Sequence, residues 1–533
     1  MSTERTGWLL SALVGLGALL WWLPFSIEPP GRDQSLFLAQ SQALLDGAPL
    51  YTEIWEHKPP GVLFAYAAAQ ALFGRGYFAV HLLGILAGLF TVTILTRLVW
   101  RQTRCAAGAL GAGLLYAAYY SGPVFGGFWS VCQAEVLMDP LLALVIALLI
   151  QPGSTRRFTF RCFAAGLMMA AIVALKYSTL PMAALFVLVL ADGRIEPGER
   201  WKGCAVYFAG IGGMAALWCL WLLTTGRFAA FWSATVVFNR MHGTIAARPR
   251  TEDLADKIVF DMGFMLPFYL LAALAVLQTV LSRRGTSGVE PAVNRVLPWG
   301  VASWALALTG VFWQAKFWSY HNHVMLLPLC LIAGAGLAVA NRWVQRTVRH
   351  RVTGAAILIV AMAGSLIPYA RYASRYVVEH RLVQALRGTI ERDEFWSTYR
   401  WGPTDYDVLE TFQVAERLNR ETAPDDRLFV WGFEPGLYVY AERRPASRFF
   451  YDYPLMPRFE ALHAAHVEAL LEDLRTRRPA RIAVLRRDAT DIEKQGSVDQ
   501  LQAIPELVAL LNTDYEQAWT QGDFFVLKRK RGR

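Results

Sequence analysis

The chain has 533 residues, of which 55% are hydrophobic and only 18% charged, with a formal net charge of +10. Soluble domains carry roughly 25% charged residues, so this balance excludes an ordinary water-soluble globule and points to a membrane protein. Nor does the positive excess describe a nucleic-acid surface, because the cations recur in short clusters between apolar runs, as topology determinants do.

In chain order, Arg5 precedes an apolar run from Trp8 to Phe25. The run ends in Trp21-Trp22-Leu23-Pro24 without a small-x-small cleavage pattern, so it reads as an uncleaved first span. A polar loop follows, from Gly31 to Gly61, and then a short apolar segment, 61–73. Further apolar runs lie at 77–99, 105–121, 136–151, 162–176, 178–191, 203–225, 262–282, 297–313, 324–341 and 352–370. Basic clusters sit in alternate gaps: Arg97, Arg101 and Arg104; Arg156, Arg157 and Arg161; Arg194, Arg200 and Lys202; Arg283, Arg284 and Arg295; Arg342, Arg346, Arg349 and Arg351. That alternation requires segment 61–73 to be an interfacial or re-entrant helix, leaving about eleven spans with the N-terminus inside. The chemically interesting polar sequence then falls on the outer face.

From Arg371 onward the composition turns soluble. The pattern predicts a helix over 406–420, a strand at Arg427–Gly432 and a helix from about Pro435. It continues with a strand at Ser447–Tyr451, a helix over 457–477, a strand at Arg481–Arg486, a helix over 498–512 and a final strand at Phe524–Leu527. The expected architecture is an α-helical polytopic membrane domain over 1–370, with an outer loop at 26–76, followed by an extracytoplasmic α/β domain over 371–533 with a mixed or parallel sheet.

The candidate chemistry is concentrated in the first outer loop. Asp33 follows the Pro29-Pro30-Gly31-Arg32 break and reads either as a base for an acceptor hydroxyl or as an N-cap for the helical run that follows. Lys58, in Trp55-Glu56-His57-Lys58-Pro59-Pro60-Gly61, reads as a point cation for a phosphate at the membrane boundary, or as a snorkelling lysine. His57 beside it is a further phosphate-donor candidate. Glu135 and Asp139 share one face of a span entrance, and a carboxylate pair there calls for a polar cavity. Lys176 interrupts apolar sequence, while Lys316, Tyr320, His321 and His323 form a cationic and aromatic loop suited to an anion. His-x-His without a nearby carboxylate or cysteine is a weak metal signal, and the six cysteines show no paired spacing. Neither a metal nor a cofactor is expected. The Trp431–Gly436 stretch reads as a strand end and helix start.

In this order on one face, these residues resemble the GT-C glycosyltransferases of the bacterial protein O-mannosyltransferase and aminoarabinose-transferase type. The resemblance rests on Asp33, the Leu-Asp-Gly-x-Pro-x-Tyr stretch Leu45–Tyr51, Lys-Pro-Pro-Gly at Lys58–Gly61, Glu135, and the aromatic-His-x₃-Leu-Pro entry at Tyr320–Pro328. Asp33-Gln34 stands where protein mannosyltransferases have Asp-Glu, which weakens the case for a protein acceptor specifically.

The resemblance implies a polyprenyl-phosphate-linked sugar donor, and a lipid, glycan or protein acceptor outside the cytoplasmic membrane. In such a site Asp33 activates the acceptor hydroxyl and Glu135 orients it or the acceptor. Lys58, with His57, Lys176, Lys316, Tyr320 and His323, holds the donor phosphate. A lipid phosphate leaves readily, so one base plus cations suffice for an inverting displacement. The competing classes are a transporter or flippase, which calls for paired halves that the sequence does not show, and a membrane scaffold of glycan assembly, which leaves the acid and cation of the first loop unexplained.

Overall fold

The computed structural model describes residues 3–151, 155–245, 251–283, 293–347, 351–401, 406–488 and 495–530; Arg284 and Arg349 of the basic clusters lie outside the described residues. Each apolar run falls on helical structure. The helices are Thr3–Trp22, Tyr77–Thr103, Ala106–Tyr120, Ala134–Leu149, Thr155–Leu175, the 3-10 and α turns of 177–190, Pro197–Thr224, Thr251–Arg283, Val293–Gln314, Leu326–Thr347 and Arg351–Glu379. Among the described residues, seven helices are long and apolar enough to cross a bilayer. Segment 61–73 forms the helix Gly61–Phe73, whose 13 residues fall short of the ~20 that a span needs.

The chain divides into two compact units. One comprises Met1–Ser26, His81–Trp218 and Arg248–Val378; the other comprises Ile27–Val80, Cys219–Ala247 and Glu379–Arg533. The first unit is the helical bundle. In its span Ser319–Gln345, 94% of an 18-residue apolar stretch is buried, so protein packs this helix on every side. Around it the helices meet through small residues. A Cβ added at Gly334 would lie 2.9 Å from the Ala112 Cβ and 3.1 Å from the Gly108 carbonyl oxygen. Lipid offers no hydrophobic drive for helices to associate, so close backbone approach supplies the contact energy instead.

The second unit contains all the described strands. β1 (Arg400–Trp401) and β2 (Tyr406–Asp407) form a short antiparallel ladder. The main sheet uses β3 (Arg427–Trp431), β4 (Arg444–Pro445), β5 (Arg481–Leu485), β6 (Tyr515–Gln521) and β7 (Phe524–Arg529), in the order β4-β3-β5-β7-β6. β4, β3 and β5 run parallel, while β7 and β6 are antiparallel, so the sheet is mixed. Strands β3 and β5 are buried almost throughout, as their unbroken apolar runs require. The helix Val408–Glu421 opens on Asp407, whose side chain accepts the Glu410 N–H at 3.0 Å.

The sheet corrects two expectations. Ser447–Tyr451 is not a strand: the ladder ends with the Ala446 N–H on the Leu428 carbonyl at 2.8 Å, and the donors of Arg448 and Phe449 turn to side chains. The Arg448 N–H goes to Asp473 at 2.8 Å and the Phe449 N–H to the Ser447 hydroxyl at 3.0 Å. β6 went unread because its Tyr-Glu-Gln-Ala-Trp-Thr-Gln sequence is half polar, as suits an edge strand. The predicted helix over 498–512 is two, Ser497–Gln502 and Pro505–Asp514, the second begun by a proline in its first turn.

The close approach in the bundle is testable. Gly334→Leu should destabilise the protein by about 1–3 kcal/mol through overpacking. Gly212→Leu, at a site with no atom within 4 Å of an added Cβ, should be tolerated. Thermal melting in detergent distinguishes the two, and equal melting temperatures would refute the packing argument.

Candidate active site

In the second unit, the helix Arg32–Leu45 begins directly after Pro29-Pro30-Gly31. Gly31 occupies the N-cap with an extended backbone and makes no side-chain cap hydrogen bond. Asp33 therefore sits inside the first turn, and the N-cap reading of this residue does not hold. Its carboxylate gains from the helix dipole there and accepts a hydrogen bond from Lys58 Nζ at 3.0 Å. The two side chains remain 20% and 29% exposed, which leaves this pair open to solutes. Lys58 Nζ also lies 4.4 Å above the ring of Phe37, one turn further along the same helix.

The segment carrying Lys58 is pinned from several directions. The Trp55 N–H donates to the Arg448 carbonyl at 2.9 Å, and the Lys58 N–H donates to Glu56 Oε1 at 2.9 Å. Asn239 Nδ2 donates to the His57 carbonyl at 2.7 Å, two residues after the π turn Ser233–Val237. The His57 ring lies 3.2 Å from Glu56 and 3.3 Å from the Tyr451 hydroxyl, so it is held on its protein neighbours. Glu56 is itself buried, and that desolvation raises its carboxyl above the ordinary glutamate range, against the pull of Lys58.

Beside Asp33 lies a second, closed ion pair. Arg32 Nε and an NH₂ nitrogen meet Glu434 Oε1 at 2.8 and 2.7 Å, with the side chains only 4% and 2% exposed. Glu434 stands just beyond β3, in the stretch expected to be a strand end and helix start. Its other oxygen accepts from the Thr411 hydroxyl at 3.3 Å, and Arg32 lies 4.9 Å from the Tyr406 ring. Two more ties bind the residues before the helix: Tyr406 OH donates to the Pro30 carbonyl at 2.9 Å, and Tyr399 OH donates to Glu28 at 3.2 Å. Removing one member of a buried pair strands the other charge and costs about 3–5 kcal/mol. Sequence reasoning passed over both Arg32 and Glu434. The only signal was an arginine placed where a helix begins inside apolar surroundings, which needs a counter-ion from somewhere.

The remaining candidates belong to the bundle unit. Glu135 lies in the first turn of Ala134–Leu149, buried, and is ion-paired with Lys176 at the break after Thr155–Leu175. Lys176 Nζ is 5.6 Å from the Tyr320 ring. A cavity of about 10 Å³ is lined by Glu135, Lys176, Ser178, Thr179, Gln314 and His321 among others, too small to seat a sugar ring. One turn on, Asp139 accepts from Tyr116 OH at 2.6 Å and lies 3.6 Å from His323 Nδ1, with both Asp139 and His323 fully enclosed. Lys316 Nζ lies 5.1 Å from the Trp318 ring. Asp33, His57 and Lys58 thus share one unit, while Glu135, Lys176, Lys316, Tyr320 and His323 share the other. Among the described residues, no three His, Cys, Asp or Glu side chains gather to hold a metal ion.

No protein-family model and no curated protein matches the sequence. Solved structures do match the fold. The chain is similar to ArnT from Cupriavidus metallidurans, in a crystal structure bound to undecaprenyl phosphate, with a TM-score of 0.55 at 13% identity over 100% of this chain and 99% of that one. The apo ArnT structure gives a TM-score of 0.55 at 14% identity over 98% of each chain. The archaeal oligosaccharyltransferase AglB from Archaeoglobus fulgidus gives 0.50 at 11% identity, over 98% of this chain and 74% of that one. The chain therefore has the GT-C fold along its whole length.

Burial pushes the Glu434 carboxyl up to about 7 from an ordinary 4.5, with Arg32 pulling it the other way. The folded chain then holds this proton more tightly than the unfolded chain does. The resulting stability is fully present below pH 4.5 and is lost as pH rises through 7. Glu434→Gln removes the titration, so the difference in melting temperature between variant and wild type should move in the variant's favour as pH rises from 5 to 8. An unchanged difference across that range would mean that the carboxyl does not titrate there.

Proposed function

We propose that the chain is a membrane glycosyltransferase. It moves a sugar from a polyprenyl-phosphate carrier to an acceptor hydroxyl on a lipid, glycan or protein, at the outer face of the cytoplasmic membrane. The observation that carries this reading is the solvent-reachable pair of Asp33 and Lys58, a base and a cation 3.0 Å apart. It is supported by the whole-length likeness to a transferase crystallised with undecaprenyl phosphate and by the likeness to AglB, solved with a dolichol-phosphate and an inhibitory peptide.

The chemistry follows from the two side chains. The acceptor oxygen attacks the anomeric carbon as its proton passes to an Asp33 carboxylate oxygen. The bond from that carbon to the phosphate oxygen breaks, and its electron pair leaves with the lipid phosphate. Lys58 neutralises the charge that grows on the departing group, and a single displacement inverts the anomeric centre. His57 stands next to Lys58 as a further donor-site group. Lys176, Lys316 and Tyr320 are the donor-side candidates of the bundle unit, where Glu135 pairs with Lys176; the enclosed His323 is not among them. The segment 371–533 guides the acceptor. The alternation of basic gaps supports a cytoplasmic N-terminus and an extracytoplasmic C-terminal domain.

The test is transfer from a panel of radiolabelled undecaprenyl-phosphate sugars by purified protein in lipid nanodiscs. Asp33→Asn should lower turnover at least 10²-fold, the lower end expected for losing a general base, while leaving membrane insertion intact. Lys58→Ala should weaken donor use more than Lys58→Arg, which keeps the charge. Full turnover in Asp33→Asn would remove that residue as the base, and equal loss in both Lys58 variants would leave that residue a packing role only.

A further inference from the structure

The residue next to the proposed base makes a deeply buried ion pair across the sequence of its unit, and the reaction just described does not use it. Arg32 and Glu434 are 402 residues apart in sequence, and neither side chain is open to a substrate. Their effect is geometric. Arg32 is the first residue of the helix and Asp33 the second, so whatever fixes the Arg32 guanidinium fixes the first helical turn. Glu434 is itself placed by the rigid end of β3, whose residues Leu428–Trp431 pair in register with Arg481–Val484 of β5. Its second oxygen is taken by Thr411 on the helix Val408–Glu421. The rotor of the pair is thus closed on both sides, and Tyr406 bounds the guanidinium from a third. The Asp33 carboxylate, by contrast, bonds Lys58, a flexible chain that is also the cation needed elsewhere in the reaction.

We propose that Glu434 is a positioning residue for the transfer reaction, setting the place of the Asp33 carboxylate through Arg32. The C-terminal sheet therefore contributes to turnover as well as to acceptor guidance. This inference rests on the glycosyltransferase reading and adds a role to a strand end that the reading leaves idle. Two guanidinium nitrogens on one carboxylate oxygen suit the task, since the planar group is then held in direction as well as distance. A side chain displaced by about 1 Å from the attacking hydroxyl costs roughly 10²-fold in rate.

The experiment compares wild type, Glu434→Gln and the double variant Arg32→Met with Glu434→Met. All are assayed for transfer from the same radiolabelled undecaprenyl-phosphate sugars, with thermal melting measured alongside. Replacing both members of a buried pair by apolar side chains often leaves stability unchanged, so the double variant separates anchoring of the fold from placement of the base. Expected is a double variant that melts near wild type yet turns over roughly 10²-fold slower, with Glu434→Gln about tenfold slower. KM for the donor should stay within about threefold, since Lys58 is untouched. Wild-type kcat in the double variant, or a loss confined to KM, would overturn the positioning role while leaving the transferase reading standing. If the double variant does not fold, the kcat of Glu434→Gln decides by the same criterion. A wild type that transfers no sugar from the panel defeats the reading, and this inference falls with it.

Discussion

An ion pair removed from water is an expensive object, and the second unit is arranged around one. Arg32 and Glu434 must each lose hydration, and only near-ideal geometry returns that cost. The arrangement offsets part of that cost: two nitrogens meet one oxygen, a threonine hydroxyl meets the other, and an aromatic ring lies over the guanidinium. Because neither partner tolerates displacement, the elements bearing them are locked together. A helix that follows the first span is thereby fixed to a strand end, and the loop before it is stitched down by Tyr399 and Tyr406.

The contrast with the Asp33–Lys58 pair is one of solvent access. A fifth to a third of each of those side chains is exposed, so the attraction between them is screened and the pair can part without stranding a charge. Adjacent residues on one helical turn thus carry opposite duties. One is a closed anchor that holds position, and the other is an open pair able to exchange its partner for a hydroxyl or a phosphate. A carboxylate that takes up and returns a proton belongs in the second setting, and a fixed reference point belongs in the first.

What could be read from the sequence divides along the range of the forces involved. An apolar run reports a local property, the scarcity of polar side chains over a stretch of about 20 residues, and all of the runs fall on helices. Segment 61–73 was recognisable as a short helix from the alternation of basic gaps and is one. Asp33 and Lys58 stood out as candidates because charge beside a membrane span is a local signal, and the structure pairs the two. The partner of Arg32 did not, since nothing local links position 32 to position 434. The grouping of 27–80 with 219–247 and 379–533 was hidden for the same reason. Within the sheet, Ser447–Tyr451 looked like a strand because Phe449, Phe450 and Tyr451 have strand-forming side chains. They are buried instead as packing residues, with Trp55 against Phe449 and Phe433 against Tyr451. β6 failed in the opposite sense, its polar half facing outward at an edge.

The discontinuity of the second unit has a consequence for the order of events as the protein is made. At a synthesis rate of about 5–20 residues per second, the 402 residues between Arg32 and its counter-ion take roughly 20–80 seconds to appear. For that interval the helix bearing Asp33 has left the ribosome, yet the groups that fix it do not exist. The bundle waits as well, because its buried span Ser319–Gln345 packs against the much earlier Gly108 and Ala112. The second unit is a high-contact-order structure that must wait for its last segment. Arg32 spends the wait solvated, since an arginine without its glutamate has no low-energy place inside the protein. The tie that holds the first turn of that helix can therefore form only late, once the segment just beyond β3 has been made.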